Sequence, residues 1–203
     1  MNRIFGDSIS GNCQKVKWVA TRLSIPHEWI EVDVRKGDTR TDEFLALNPF
    51  GQVPVIQFND GRTLAQSNAI ILHLAEGSEL VPADAFERAK VLEWLFWEQY
   101  SHEPVIAVRR FQKLYLNTPD DEIDPDLMAK GRRALGRMEM TLISSDWIAG
   151  GEAITLADVS LLAYTRLAHE GGFDLDEFPA VSAWVARSEL ELGLPHIHEV
   201  THV

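Results

Sequence analysis

Pro54 constrains the fold of this chain more than any other residue. It stands inside residues 52–58, QVPVIQF, where β-branched Val53, Val55 and Ile56 mark a strand. A proline gives no N–H to a sheet ladder, so it is confined to an edge, a strand start or a special turn. One solution is an edge-strand proline. The other is a cis Val53–Pro54 bond, which costs only ~0.5–1 kcal/mol relative to trans. A cis bond would turn the Val53 amide and carbonyl away from the sheet and toward a ligand. The residues leave both open.

The surroundings supply the rest of a domain. Residues 3–6 read as a strand. A helix follows over about 11–23, with Val16, Val19, Ala20 and Leu23 at helical spacing. Residues 28–34 alternate around Ile30, Val32 and Val34 as a second strand, and 43–47 are weakly helical. Asp60-Gly61 centres a hairpin turn into a short return strand, TLAQ, and 67–76 is helical again. The predicted order is β-α-β-α-β-β-α. Beyond a linker at 77–84 the chain reads as all helix. Residues 85–116 form a long aromatic helix that Pro104 should kink near Tyr100. An acidic loop at 118–126 precedes a helix over about 127–144. Thr155 and Asp158 form a capping box before an apolar run, and a last helix starts near Pro179.

Charge divides the chain at the same place. Residues 1–76 carry 8 Lys/Arg and 9 Asp/Glu; residues 77–203 carry 11 and 22. The net charge of −12 argues against general nucleic-acid binding, which needs basic patches to displace counterions. No apolar run approaches the ~20 residues that span a bilayer, and MNRIFGDSIS lacks the apolar core of a signal peptide. One cysteine suits a reducing, cytoplasmic setting. His196, His198 and His202 are loosely spaced with no accompanying Cys or carboxylate cluster, so no metal site is expected.

Two junctions offer polar groups to a ligand. In GDSISGNC, Ser8, Ser10 and Cys13 lie where a strand gives way to a helix; in AQSNAI, Ser67 lies at another such start. Free backbone N–H groups there favour anions. From composition alone, plain helix capping is the favoured reading of both Ser10 and Ser67.

The element order, with Pro54 at the third strand, resembles a thioredoxin-like domain. NPFGQVPVI, LAQSNAIILHLAE and ITLADVSLLAY, in this order and spacing, resemble the soluble glutathione transferase family, in particular its bacterial theta-, beta- or nu-like members. The resemblance spans nearly the whole chain. It implies an α/β thioredoxin-like N-terminal domain at residues 1–76 that binds glutathione. It also implies an all-α domain at 84–203 with the second-substrate pocket. Glutathione would be the co-substrate, a small electrophile its partner and detoxification the role, with no metal. A homodimer is expected, the N-terminal domain of one chain facing the helical domain of the other.

The resemblance also assigns residues. Ser67 would meet the γ-glutamyl carboxylate and Gln66 the amine, with neutral Gln66 leaving room for an acid such as Glu103 of a second subunit. Val53 would pair its backbone with the cysteinyl backbone. Gln52 and Arg40 would reach the glycyl end, Lys36 being a weaker alternative. Tyr100, Arg109 and Phe111 would line the second-substrate pocket, and Pro54, Thr155 and Asp158 would be structural. Ser10, with Asn12, would stabilise the thiolate; Cys13 would be packed and dispensable, and Ser8 a loop residue. A thiol of pKa ≈ 8.5 needs a shift of roughly 2 units, ~2.7 kcal/mol, to be mostly ionised at pH 7. A hydroxyl bonded to the charged sulfur supplies ~1.5–3 kcal/mol and a helix start ~0.3–1 kcal/mol. Two rivals remain: glutathione-dependent disulfide or peroxide reduction, and a non-enzymatic interaction module on the same fold.

Overall fold

The computed structural model describes residues 1–196. The chain divides into one compact unit over Met1–Val81 and a second that begins at Pro82. The first unit runs β1 (Asn2–Gly6), α1 (Gly11–Arg22), β2 (His27–Glu31), α2 (Asp42–Leu47), β3 (Val55–Gln57), β4 (Thr63–Ala65) and α3 (Ser67–Leu74). Its sheet has the order β2-β1-β3-β4; β1 and β2 are parallel and the other pairs antiparallel. Side chains alternate across a strand. Phe5 and Val55 therefore share one face, where they pack with Val32 and with Phe44 of α2. Ile4 and Ile56 point to the opposite face and are also fully buried. The sheet is covered on both sides, as a thioredoxin-like layer is.

Two strands are shorter than the sequence suggests. β2 stops at Glu31: the Val32 N–H still reaches the Gly6 carbonyl at 2.9 Å, but Asp33 then caps a 3-10 turn by accepting from the Arg35 and Lys36 amides. β3 begins only after Pro54, so the missing proline N–H costs the ladder nothing. The Val53–Pro54 peptide is cis. At the other end, Phe58 donates to the Arg62 carbonyl at 2.8 Å, and Gly61 takes the positive φ of 85° that this hairpin requires.

The second unit is helical: α4 (Ala85–Trp97), α5 (Glu103–Leu114), α6 (Pro125–Leu142), α7 (Leu156–Thr165) and α8 (Pro179–Glu191). The kink foreseen near Tyr100 is a π-turn over Glu98–His102, immediately before Pro104. A wider turn relieves the clash and the lost bond that proline brings to a helix interior. α6 starts two residues before the expected Leu127, because Asp124 accepts from the Asp126 amide and Pro125 fits the first helical position.

Every residue of α7 is buried, which makes it the axis of the unit. Its capping box is complete, and Asp158 does more than cap. Its fully buried carboxylate accepts from the Thr155 amide (2.9 Å) and hydroxyl (3.0 Å), from the Ile148 amide (2.8 Å) and from Trp184 Nε1 on α8 (2.9 Å). Among the described residues no helix is long and apolar enough to cross a membrane, and no group of three metal-ligating side chains converges. His196 is exposed, 4.0 Å from Glu189; His198 and His202 lie outside the described residues.

Candidate functional site

The loop between β1 and α1 is built on Asp7. Its buried carboxylate accepts from the Ile9 amide at 3.0 Å and from the Val34 amide at 3.4 Å, and its carbonyl accepts from the Ser10 amide at 3.0 Å. Burial raises the Asp7 carboxyl above its ordinary pKa against the pull of those two amides. Ser10 is therefore held at both its own amide and its neighbour's. It occupies the N-cap position of α1, where its carbonyl accepts from the Cys13 and Gln14 amides, but its side chain makes no capping bond. The hydroxyl bonds the Cys13 sulfur instead.

Cys13 is fully buried and takes a second hydrogen bond from the Asp7 amide at 3.3 Å. Burial pushes its thiol up to about 12, outweighing both hydrogen bonds. It is a neutral packing residue at physiological pH. Ser8 is exposed; its amide donates to Glu31 at 2.8 Å and its carbonyl accepts from Gln14.

Ser67 opens α3 and is buried. Its hydroxyl does not cap the helix: it donates to Asn12 Oδ1 at 3.0 Å, so the starts of α1 and α3 meet side chain to side chain. Gln66 is the N-cap of α3, exposed and at a φ of 72°. A positive φ at a residue with a Cβ is strained, and such strain gathers at functional positions.

The third wall is the segment 48–53. Buried Asn48 donates to the Gln52 carbonyl at 2.8 Å and accepts from the Phe50 amide at 3.2 Å, folding the loop back on itself. The Gln52 side chain is exposed. Val53 packs its side chain on the Phe5–Val55 cluster, while its backbone N–H and carbonyl make no hydrogen bond among the described residues. The Arg40 guanidinium lies across Gly51; a Cβ there would sit 2.4 Å from Nη1, and Gly51 has a φ of 62°. Lys36 is instead tied to Asp33 at 3.1 Å.

The first unit thus gathers Asn12 with Ser67, and Arg40 with the loop carrying Gln52 and Val53. Sequence reasoning missed Asp7 and Asn48, which position these groups. An Asn-Pro pair flags a turn-forming Asn, so Asn48 carried a readable signal; Asp7 carried little.

The helical unit contains a cavity of about 320 Å³, lined in part by Trp97 and Tyr100. Arg109 and Phe111 do not line it. The Arg109 guanidinium is buried against the Gly171 carbonyl (2.7 Å) and Asp120 (3.3 Å), and Phe111 stacks on Tyr115 with centroids 4.7 Å apart. Of the three positions expected to face a pocket, Tyr100 lines this cavity, Arg109 is buried within the unit and Phe111 is exposed.

Family models described as "Glutathione S-transferase, N-terminal domain" and "Glutathione S-transferase, C-terminal domain" match residues 9–76 and 96–189. A crystal structure of a glutathione S-transferase from Pseudomonas fluorescens Pf-5 is 44% identical, superposes with a TM-score of 0.89, and covers 93% of this chain and 94% of its own. One from Xanthobacter autotrophicus Py2 is 42% identical with a TM-score of 0.87, covering 97% and 95%. Rat glutathione S-transferase theta-1 is 29% identical over 94% of this chain and 83% of its own length.

Proposed function

The chain belongs to the glutathione S-transferase family, and on that premise we propose that it binds glutathione in its first unit and presents the thiolate to an electrophilic small molecule. The observation that carries this reading is the Ser67–Asn12 hydrogen bond, which brings two helix starts together beside Ser10. Ser67 and the free N–H groups of α3 receive the γ-glutamyl carboxylate, and the exposed Gln66 amide accepts from the ammonium group. The unpaired Val53 backbone hydrogen-bonds the cysteinyl unit in strand fashion. Arg40 and Gln52 face the glycyl carboxylate. The thiol proton leaves to solvent. The Ser10 hydroxyl turns from Cys13 to the thiolate, which the start of α1 also stabilises, with Asn12 alongside. The sulfur lone pair forms a bond to the electrophilic carbon as the leaving group departs with its electrons. No general base is required, and Cys13 has no part in the step.

The functional unit is a homodimer in which an acidic side chain, Glu103 for example, faces neutral Gln66 of the other copy. A neutral buried thiol suits a cytoplasmic protein. Turnover with aryl halides, organic peroxides and mixed disulfides, run side by side with glutathione, tests the activity. Conjugation should dominate. Faster peroxide or disulfide reduction makes the protein a reductase, and binding without turnover makes it an interaction module. Sedimentation at micromolar concentration tests the assembly, a species of 22.9 kDa refuting the dimer.

A further inference from the structure

Glu31 is exposed, yet its carboxylate is engaged on both oxygens. It ends β2 in register with Gly6 of β1, which puts it beside the loop that carries Ser10. Oε1 accepts from the Ser8 amide at 2.8 Å, the Ser8 hydroxyl bonds the same carboxylate, and Oε2 accepts from Trp29 Nε1 at 2.7 Å. Residues two apart on a strand point the same way, so Trp29 and Glu31 share a face. Trp29 is fixed in turn. Its ring lies across Gly6, where a Cβ would sit 2.5 Å from it, and the Lys17 ammonium of α1 lies over the ring at 5.1 Å. Partial burial raises the Glu31 carboxyl, but the hydrogen bonds from Trp29 and Ser8 and the charge of Lys17 outweigh it and hold the group below its ordinary pKa.

These contacts close a ring around Ser10. Lys17 and Gln14 stand one turn apart on α1. Lys17 covers Trp29, Trp29 and Ser8 bond Glu31, and the Ser8 carbonyl accepts from Gln14. The successive amides of Ser8, Ile9 and Ser10 donate to the Glu31 carboxylate, the Asp7 carboxylate and the Asp7 carbonyl. Of these three acceptors only Glu31 comes from outside the loop. An exposed carboxylate contributes little to stability; what this one fixes is the course of a loop.

Resting on the reading that Ser10 stabilises the glutathione thiolate, we propose that Glu31 is a positioning residue for that step, placing the Ser10 hydroxyl through its hold on Ser8. The charge of Glu31 has the opposite sign of effect: it opposes a nearby thiolate, as it opposes ionisation of Cys13. Substitutions separate the two. Glu31→Gln removes the charge and keeps an oxygen for the Ser8 amide; Glu31→Ala removes both.

With glutathione bound, the thiol pKa is read from thiolate absorbance across a pH series. In Glu31→Gln it should lie at or below the wild-type value. In Glu31→Ala it should lie about half a unit above Glu31→Gln, roughly threefold in thiolate fraction. In a Ser10→Ala background the two Glu31 variants should agree, because no hydroxyl is left to place. Equal values for Glu31→Gln and Glu31→Ala with Ser10 present leave only the charge and overturn the proposal. So does a difference that survives Ser10→Ala. Amide exchange in the free protein needs no ligand: Ser8, Ile9 and Ser10 should exchange about tenfold faster in Glu31→Ala than in Glu31→Gln, and equal rates overturn the hold on the loop. If exchange differs in this way while Ser10→Ala leaves the bound thiol's pKa unchanged, the thiolate reading fails and the hold of Glu31 on the loop stands.

Discussion

Replacing Ser10 by alanine removes a hydroxyl that already has a partner, and this sets the size of the effect. In the free protein the hydroxyl bonds the neutral Cys13 sulfur. To serve a glutathione thiolate it must give that bond up. A hydrogen bond to a charged group contributes ~1.5–3 kcal/mol and one to a neutral group ~0.5–1.5 kcal/mol. The net gain is the difference, about 1–1.5 kcal/mol, or roughly one pKa unit on the bound thiol. Ser10→Ala should raise that pKa by this amount, which cuts the thiolate fraction about tenfold at a pH below both values. A thiolate of higher pKa is also a better nucleophile, with a slope of roughly 0.4–0.5, so the rate should fall only about two- to fivefold. The pKa is therefore the cleaner readout. It is measured from thiolate absorbance near 240 nm across a pH series, with glutathione bound. Cys13→Ala removes the competing acceptor, so the bound thiol's pKa should stay level or fall. An unchanged pKa in Ser10→Ala, together with lost turnover in Cys13→Ala, would refute the assignment and move the chemistry to the cysteine.

Ser67→Ala removes the single O–H that Asn12 accepts in the free protein and that a bound carboxylate would take over, and calorimetric titration should show glutathione binding weakened by ~1–3 kcal/mol; equal affinity removes Ser67 from the site. Asp158→Ala strands four donors inside the helical unit, and urea unfolding should show a loss of about 3–5 kcal/mol, against less than ~1 kcal/mol if the residue were only a surface cap. Asp7 has a raised pKa in the folded chain, so its ionisation opposes folding: the stabilising difference is present below about pH 4 and is lost as pH rises through the raised value. The stability of Asp7→Asn relative to wild type should accordingly improve from acid toward neutral pH, and a flat difference across the series overturns the argument.

Local chemistry made much of the fold legible. Asp60-Gly61 announces its hairpin, Thr155 and Asp158 their helix start, and Pro104 the disturbance at 98–102, because each acts within a few residues. The strand ends were less readable. β2 ends where Asp33 finds two amides, and β3 begins where the ladder can dispense with a proline N–H; both depend on what lies across the sheet. The site divides the same way. Ser10, Val53 and Ser67 stand at junctions that a motif marks. Asp7 works through Val34, 27 residues away in sequence, and Arg109 through Gly171, 62 residues away. An arginine on a helix looks solvent-facing in sequence, and only the fold supplies Gly171, the partner against which Arg109 is buried.

The sealed thiol makes the protein its own reporter of opening. A cysteine with no exposed surface and a pKa of about 12 is silent to thiol reagents while the first unit is closed, and the chain has no other. Any modification of Cys13 therefore counts molecules whose β1–α1 junction has opened, much as slow amide exchange counts them. Ser10 is bonded to that same sulfur, so a ligand that settles on Ser10 should slow the labelling. The rate of a simple colorimetric reaction would then report occupancy of the site with no catalysis at all.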